Sequence, residues 1–285
     1  MHGYATYAAM EQKPVLVIES GRGAAHYWRE LLRYRELFLF LTWRDILVRY
    51  KQTAIGILWS IMRPLLTMLV FTFIFGKVAS MPKEGTAPYA LMVFAALLPW
   101  QMFSNAVQES SNSLIVNADM IAKIYFPRII MPLSSIFTAL VDFAIALAIY
   151  LVMMVFFGVI PTWHMLAMPL FLLLGLGSAV GVGLVISALN VSFRDFRYIV
   201  PFIIQFGLYI SPVGFSSTAV PEKWRFLYCL NPLVGVIDGF RWSLLGQNIS
   251  FYWPGLIASV CITVALIVFG VTVFRRMERT FADNI

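Results

Sequence analysis

The sequence predicts an all-α integral membrane protein with six transmembrane helices, an amphipathic interface helix before them and two short re-entrant helices between the fifth and sixth spans. Hydrophobic residues make up 60% of the 285 residues and charged residues only 12%, and the mean hydropathy is +0.82. A soluble domain is far less apolar than this. Apolar runs of about 20 residues, the length that crosses a bilayer core, recur along the chain.

Residues 1–53 are predicted to form a cytoplasmic N-terminal segment that ends in the interface helix. An apolar set recurs there at helical spacing: Leu39, Trp43, Ile46, Leu47 and Tyr50. A charged and polar set lies on the opposite face: Arg44, Asp45, Arg49, Lys51 and Gln52. A charged face beside a Trp-bearing apolar face is typical of a helix that lies along a membrane surface. No short apolar run with a cleavage site precedes it, so we expect no cleaved signal peptide.

Residues 54–285 are predicted to form the transmembrane domain. Its spans are expected at about 55–77, 88–108, 129–157, 165–189, 198–215 and 251–274. Pro99 lies midway along the second span and predicts a kink there, because proline removes a backbone donor. Between the second and third spans, the polar stretch 109–128 carries Asp119 and Lys123 at i, i+4 spacing, which predicts a short helix outside the bilayer.

The region 216–250 is too polar to cross the membrane, since each of its charged residues would cost about 2.5 to 3.5 kcal/mol at the bilayer centre. Two helices are nevertheless predicted between about 221 and 245, the second with Asn231 as N-cap and Pro232 at its first position. An apolar stripe follows along the second helix: Leu233, Ile237, Phe240 and Leu244. We therefore expect two short helices that dip into the membrane edge.

Lysine and arginine are distributed unequally between the two sides of this topology. Fifteen of the 21 lie in the two termini, the second-third loop and the fourth-fifth loop, and five lie on the other side. Arg63 falls inside the first span. Because positive residues accumulate in cytoplasmic segments, both termini are predicted to be cytoplasmic. The same dispersal along the membrane flanks argues against a nucleic-acid interface.

The sequence contains no G-x-x-x-x-G-K-[ST] motif, so we expect no ATP hydrolysis by this chain itself. Cys229 and Cys261 are its two cysteines, and His2, His26 and His164 lie far apart without ligand spacing. We therefore predict no catalytic residue, no metal site and no cofactor bound by this chain. The glycine-rich run 175–183 lies within a span, without a preceding strand, and is typical of close helix packing instead.

Arg63 and Asp142 are charged residues within predicted spans, and we predict that they form an intramembrane polar pair. An ionised carboxylate near the middle of a span is costly and is a functional candidate by default. Arg63 can pair with it inside the bundle or extend toward the headgroups. A structural pair is favoured over a transport role, because an ion-coupled carrier would need further intramembrane acids and internal repeats.

Aromatic rings recur at helical spacing on the first and fifth spans: Phe71, Phe75, Phe202, Phe206 and Tyr209. Such stripes are usually packed or lipid-facing surface. They can also bind sugar rings, whose flat C–H faces pack against aromatic faces.

The segment RDILVRYKQTAIGILWSIMRPLLTMLVFTFIFG at 44–76 resembles the opening of the permease subunits of ABC-2-type polysaccharide exporters. A looser resemblance extends over about 37–275 and includes NPLVGVIDGFRWSLLG at 231–246. It implies a permease that moves a lipid-linked polysaccharide, of O-antigen type, across the bacterial inner membrane. Separate ATP-binding subunits would hold ATP and Mg²⁺, and the implied unit has two permeases and two ATPases. Capsule or teichoic acid export are variants within the family, and an ion-coupled flippase or a membrane-embedded transferase are alternatives from other classes.

The resemblance also implies roles for particular residues. The segment at about 112–124 corresponds to the coupling helix, which would contact the ATPase through Asn117, Asp119, Met120 and Lys123. Three residues of the interface helix would flank that contact: Arg44, Asp45 and Arg49. The first and fifth spans line the channel in the family, which makes the five aromatic residues named above channel-lining candidates. The re-entrant helices would close the channel on the periplasmic side through Leu233, Ile237 and Phe240.

Overall fold

The computed structural model describes residues 24–51, 56–80, 87–246 and 251–281, and every regular element in these ranges is helical. The α-helices are α1 (Ala24–Arg33), α2 (Arg35–Lys51), α3 (Gly56–Phe71), α4 (Tyr89–Val116), α5 (Ala118–Lys123), α6 (Ile130–Phe156), α7 (Met168–Ser192), α8 (Phe196–Ile210), α9 (Glu222–Tyr228), α10 (Pro232–Leu245) and α11 (Trp253–Met277). A π-helix, Thr72–Val78, continues α3, and a 3₁₀ turn, Trp163–Ala167, precedes α7. The predicted lead-in before residue 24 lies outside the described residues.

Five helical segments of the described chain are long and apolar enough to cross a membrane: Leu58–Val78, Tyr89–Val116, Ile130–Phe156, Trp163–Ser192 and Trp253–Met277. They coincide with the predicted first, second, third, fourth and sixth spans. The predicted fifth span is α8, which has 15 residues and is therefore about 22 Å long, against a bilayer core of about 30 Å. The multi-pass, all-helical class is confirmed, and the count of six spans stays a prediction.

Helix α4 is the centre of the bundle, because it packs against α6 on one side and α7 and α10 on others. Its most apolar 18-residue stretch is 83% buried inside the protein, whereas the corresponding stretches of the first span and of α11 are only 17% buried. The outer helices therefore present apolar surface to lipid or to another chain, as helices do that surround a bundle core.

Helices α7 and α11 approach each other closely at small residues. A Cβ atom built on Gly181 would lie 2.6 Å from the carbonyl carbon of Leu266, and one built on Gly270 would meet the backbone of Gly181. Only glycine permits such backbone contact. The prediction that the glycine run 175–183 serves helix packing is confirmed.

The segment after residue 108 differs from the prediction. Helix α4 continues to Val116, so the expected coupling helix at about 112–124 is reduced to α5, six residues long. The polar side chains that suggested an exit from the bundle are bonded within it: Ser111 and Asn112 both donate to the carbonyl of Gln108. Polarity alone does not distinguish a loop in water from a helix with polar neighbours.

Two helices lie where the re-entrant pair was expected. Asn231 accepts a hydrogen bond from the backbone N–H of Leu233 and so caps α10, as predicted. Leu233, Ile237 and Phe240 are buried against the bundle, at most 3% exposed. The depth of α9 and α10 in a membrane stays a prediction.

Candidate functional site

A cavity of about 700 Å³ lies between α3, α4, α6 and α8, next to the end of α2. Two tryptophans, Trp59 and Trp100, form part of its wall. The polar side chains of the wall come from five helices: Arg49, Ser60, Arg63, Thr67, Gln101, Ser104, Asn105, Gln108, Glu109, Asp142 and Gln205.

Helix α4 contributes a polar face that the sequence reasoning missed. Gln101, Asn105 and Gln108 recur at i, i+4 and i+7 and all line the cavity, while Ala106 and Val107 between them are buried in the core. Gln205 of α8 lines the cavity with them. The signal was present in the sequence, because amides at helical spacing within an apolar span must share one side of it.

Asp142 of α6 is held by residues of α2. Its Oδ2 accepts from Nη1 of Arg49 at 2.8 Å, and its Oδ1 accepts from the hydroxyl of Tyr50. Asn105 donates to the same carboxylate at 3.3 Å. Within the described residues these are its partners, so the predicted pairing of Asp142 with Arg63 is wrong. Helix α2 packs along α6, which brings Arg49 to the carboxylate.

Arg49 also pairs with Glu109 of α4. Glu109 in turn accepts a hydrogen bond from the hydroxyl of Thr138 at 2.9 Å. One guanidinium therefore joins carboxylates on two helices. That Arg49 flanks an ATPase contact stays a prediction. Burial and the hydrogen bond to Asp142 raise the pKa of Tyr50 to about 12, so its hydroxyl remains a donor.

The two sides of α2 differ in how far they are exposed. Leu39 and Trp43 are 62% and 61% exposed, whereas Leu41 is fully buried. The exposed apolar residues point away from the protein, whereas Arg44 and Arg49 turn toward it. Tyr50, which was predicted on the apolar face, also bonds into the bundle. An apolar face without protein neighbours is suited to lipid.

Arg44 connects α2 to the junction of α4 and α5. Its Nη2 donates to Asp45 at 2.7 Å and to the side-chain oxygen of Asn117 at 2.9 Å. Three of the predicted coupling residues are therefore brought together. Asp119 and Lys123 lie on the exposed surface of α5 beside them. Whether any of them, or Met120, contacts an ATPase stays a prediction.

The aromatic candidates of the first and fifth spans meet one another. Phe71 stacks with Phe75 at 5.5 Å between ring centroids and with Tyr209 of α8 at 6.1 Å. Phe202 and Phe206 lie 5.2 Å apart and, like Tyr209, are more than half exposed. The structure joins the two spans through these rings, and their facing a channel stays a prediction.

Arg241 of α10 is a buried cation that the sequence reasoning did not single out as a functional residue. It is 1% exposed, and its guanidinium donates to the carbonyls of Val213 at 2.9 Å and Phe215 at 2.8 Å. These carbonyls belong to the non-helical segment after α8. Arg241 therefore fastens that segment to the bundle.

Glu278, beyond the end of α11, ties the C-terminal end to earlier parts of the chain. Its carboxylate accepts from the backbone N–H of Arg128 at 2.9 Å and from the hydroxyl of Tyr27 at 3.1 Å. Burial raises the pKa of this carboxyl above its ordinary value. Within the described residues, no three His, Cys, Asp or Glu side chains come together as metal ligands would.

Residues 36–245 match the protein family described as ABC-2 type transporter. The chain belongs to this family. The match covers α2 to α10, and therefore includes the cavity, the Arg49 cluster and the helix that Arg241 fastens. The resemblance stated from the segments 44–76 and 231–246 is confirmed.

Curated relatives extend the similarity to nearly the whole chain. The O-antigen export system permease protein RfbA of Myxococcus xanthus is 29% identical over 259 residues, which cover 90% of this chain and 98% of the relative. A protein of the same name from Klebsiella pneumoniae is 28% identical over 249 residues, 87% of this chain and 94% of the relative. The polysialic acid transport protein KpsM of Escherichia coli is 23% identical over 226 residues, which cover 74% of this chain and 81% of the relative.

Proposed function

We propose that this chain is the permease subunit of an ATP-driven exporter that moves a lipid-linked polysaccharide of O-antigen type across the bacterial inner membrane. The observation that carries the proposal is the collinear similarity to an O-antigen export permease over 98% of that relative's length. Capsule export is the second candidate, favoured by the similarity to the polysialic acid transport protein over 81% of its length.

The energy comes from separate ATP-binding subunits, which hold ATP and Mg²⁺. The sequence of this chain lacks the phosphate-binding motif that such a reaction needs. The complete unit has two copies of this chain and two ATPases. The exposed charges of α5, Asp119 and Lys123, offer a contact for an ATPase, and the hydrogen bond from Arg44 to Asn117 links that helix to α2.

In the membrane, both termini lie in the cytoplasm, and α8 with the segment after it forms the fifth of six spans. The apolar face of α2 lies in the cytoplasmic leaflet. The polysaccharide passes along α3 and α8, whose exposed rings include Phe202 and Tyr209. Helices α9 and α10 lie at the outer edge, where Phe240 and its neighbours close the route.

Deletion of the gene in its own host tests this function. We expect loss of surface polysaccharide and accumulation of lipid-linked polysaccharide on the cytoplasmic side, both restored by the wild-type gene on a plasmid. Affinity-tagged protein from native membranes should co-purify with a chain that carries a phosphate-binding loop. Unchanged surface polysaccharide after deletion would refute the function. Chemical analysis of the retained glycan distinguishes O-antigen from an acidic capsule.

A further inference from the structure

The linker between α5 and α6, residues 124–129, is held by side chains from distant parts of the chain. The hydroxyl of Tyr34, between α1 and α2, donates to the carbonyl of Tyr125 at 3.4 Å. The carboxylate of Glu278 accepts from the backbone N–H of Arg128 at 2.9 Å. The linker has no regular helix of its own, so contacts from outside it determine where it lies.

Glu278, just beyond α11, is the residue at which these contacts converge. Its second carboxylate oxygen accepts from the hydroxyl of Tyr27 on α1 at 3.1 Å, and its backbone carbonyl accepts from Nη1 of Arg128 at 2.6 Å. The guanidinium of Arg275 lies over the ring of Tyr27, 4.7 Å from its centroid. Donors on both oxygens fix the orientation of a carboxylate. Glu278 thereby joins α1 and the end of α11 to the linker.

An apolar contact holds the chain in place beyond Glu278. Phe281 is fully buried and packs edge-on against Phe274, with 5.4 Å between the ring centroids. It belongs to the same buried cluster as Ile121 of α5 and Phe126 of the linker. The hydrogen bonds of Glu278 are therefore made beside an apolar core that α5 and the linker share, where water competes for them less than at an open surface.

We infer that Glu278 is a positioning residue for energy coupling, which holds the linker 124–129, and thereby α5, in the place where a bound ATPase contacts the chain. The inference rests on the proposed function, which puts the ATPase contact at α5. A helix of six residues is too short to be stable by itself. Its first end continues from α4, and its second end is the linker. With the linker fixed, a displacement of α5 moves α6, whereas a loose linker would absorb the displacement.

Export and ATP hydrolysis, measured together in vesicles, test this role. The tagged chain and the ATPase that co-purifies with it are reconstituted with lipid-linked polysaccharide extracted from the host, at matched amounts of assembled complex. We expect Glu278→Ala to keep hydrolysing ATP while the polysaccharide moved per ATP falls about fivefold or more, the lower end of typical coupling between linked sites. Glu278→Gln should restore most of this ratio, because its amide can still bond to the backbone N–H of Arg128 and the hydroxyl of Tyr27. Glu36→Ala, which removes an exposed glutamate of α2, is the matched control.

The ratio of export to hydrolysis separates positioning from a purely structural role, which would lower the amount of complex and leave the ratio unchanged. A wild-type ratio in Glu278→Ala would therefore overturn the inference. If Glu278→Ala yields no assembled complex, Tyr27→Phe decides, since it removes one hydroxyl and keeps the ring. We expect its ratio to fall about twofold or more, because one hydrogen bond to a carboxylate is lost, and a wild-type ratio would again overturn the inference. A wild-type complex that hydrolyses ATP without moving polysaccharide would instead refute the proposed function.

Discussion

Arg49 bonds to carboxylates of two different helices, Asp142 on α6 and Glu109 on α4. The three side chains are between 18% and 32% exposed, so water screens them only in part. Removing one partner from such a group leaves the others desolvated without compensation, which costs more than the pair itself contributes. The cluster should therefore respond strongly to neutralisation of the arginine.

We predict that Arg49→Gln lowers the free energy of unfolding by about 1 to 3 kcal/mol, between the values for exposed and buried pairs. Thermal unfolding in detergent, followed by tryptophan fluorescence, measures this. The double variant R49Q/D142N should recover part of the loss, because it also removes an unpaired charge. Arg35→Gln on the exposed side of α2 is the control. Equal stability of the Arg49 and Arg35 variants would contradict the prediction.

Arg241 is predicted to matter through the carbonyls it satisfies. Arg241→Met keeps most of the side-chain volume but leaves the carbonyls of Val213 and Phe215 without their donor. We expect a destabilisation of about 2 to 4 kcal/mol, since a buried unsatisfied group costs about 1 to 3 kcal/mol. The same unfolding assay measures it, with the exposed Lys223→Met as control. A shift no larger than that of the control would show that other donors replace the guanidinium.

At the scale of elements, the contact of α7 with α11 depends on backbone proximity at particular glycines. Gly181→Ala would place its Cβ 2.6 Å from the backbone of Leu266, and the helices must separate. At Gly177 the nearest atoms are side-chain methyl groups of Thr263 and Ile267, at 3.0 and 3.2 Å, which can turn away. We expect Gly181→Ala to reduce the yield of folded, monodisperse protein on size exclusion, and Gly177→Ala to be tolerated. Equal yields would mean that the two helices shift freely.

Helix α9 offers a test of the proposed re-entrant position. Trp224, Phe226 and Leu227 are more than half exposed, although an apolar surface of this kind is suited to the membrane interface. Single cysteines at Phe226 and Leu227, in a background without native cysteines, should therefore resist a membrane-impermeant thiol reagent added outside intact spheroplasts. A cysteine at Glu222 should label rapidly. Rapid labelling at all three positions would place α9 in water.

At the scale of the whole molecule, α2 connects the surface near α5 with the centre of the bundle. Arg44 bonds to Asn117 at the junction of α4 and α5, and Arg49 and Tyr50 bond to α6 near the cavity. A displacement of α5 by a bound ATPase would thus reach the cavity wall through one rigid helix. The proposed function requires such a connection, because ATP hydrolysis outside the membrane must move groups inside the membrane.

Charge reversal at α5 tests that path in the assembled transporter. We predict that Asp119→Lys combined with Lys123→Glu weakens association with the ATPase or abolishes its stimulation, while the permease remains in the membrane. ATP hydrolysis and export are measured together in reconstituted vesicles. Glu222→Lys, which we propose lies on the opposite side, is the control. Unchanged hydrolysis and export at normal expression would leave α5 as an ordinary connection.

Much of the fold could be predicted from the sequence, because the cost of exposing backbone and charge to lipid acts on each segment separately. Long apolar runs located four spans to within a few residues of the helices observed, and they located the start of a further one, α4, but not its end. Asn231 and Pro232 located the start of α10 for a similarly local reason. Asp142 was singled out as an unusual group in a span, and it lies in the cavity wall.

Tertiary structure alone decided which groups meet. Arg49 bonds to Asp142, 93 positions away in the sequence. Asp142 pairs with Arg49 and not with Arg63 because of how α2 packs on α6. Helix α4 continues past residue 108 because neighbouring helices satisfy side chains that, taken singly, suggest an exit into water. Arg241 is buried for the same reason, since carbonyls of a distant irregular segment replace its hydration. Span positions follow from each segment's own solvation, whereas the partners of a polar group follow from packing between segments.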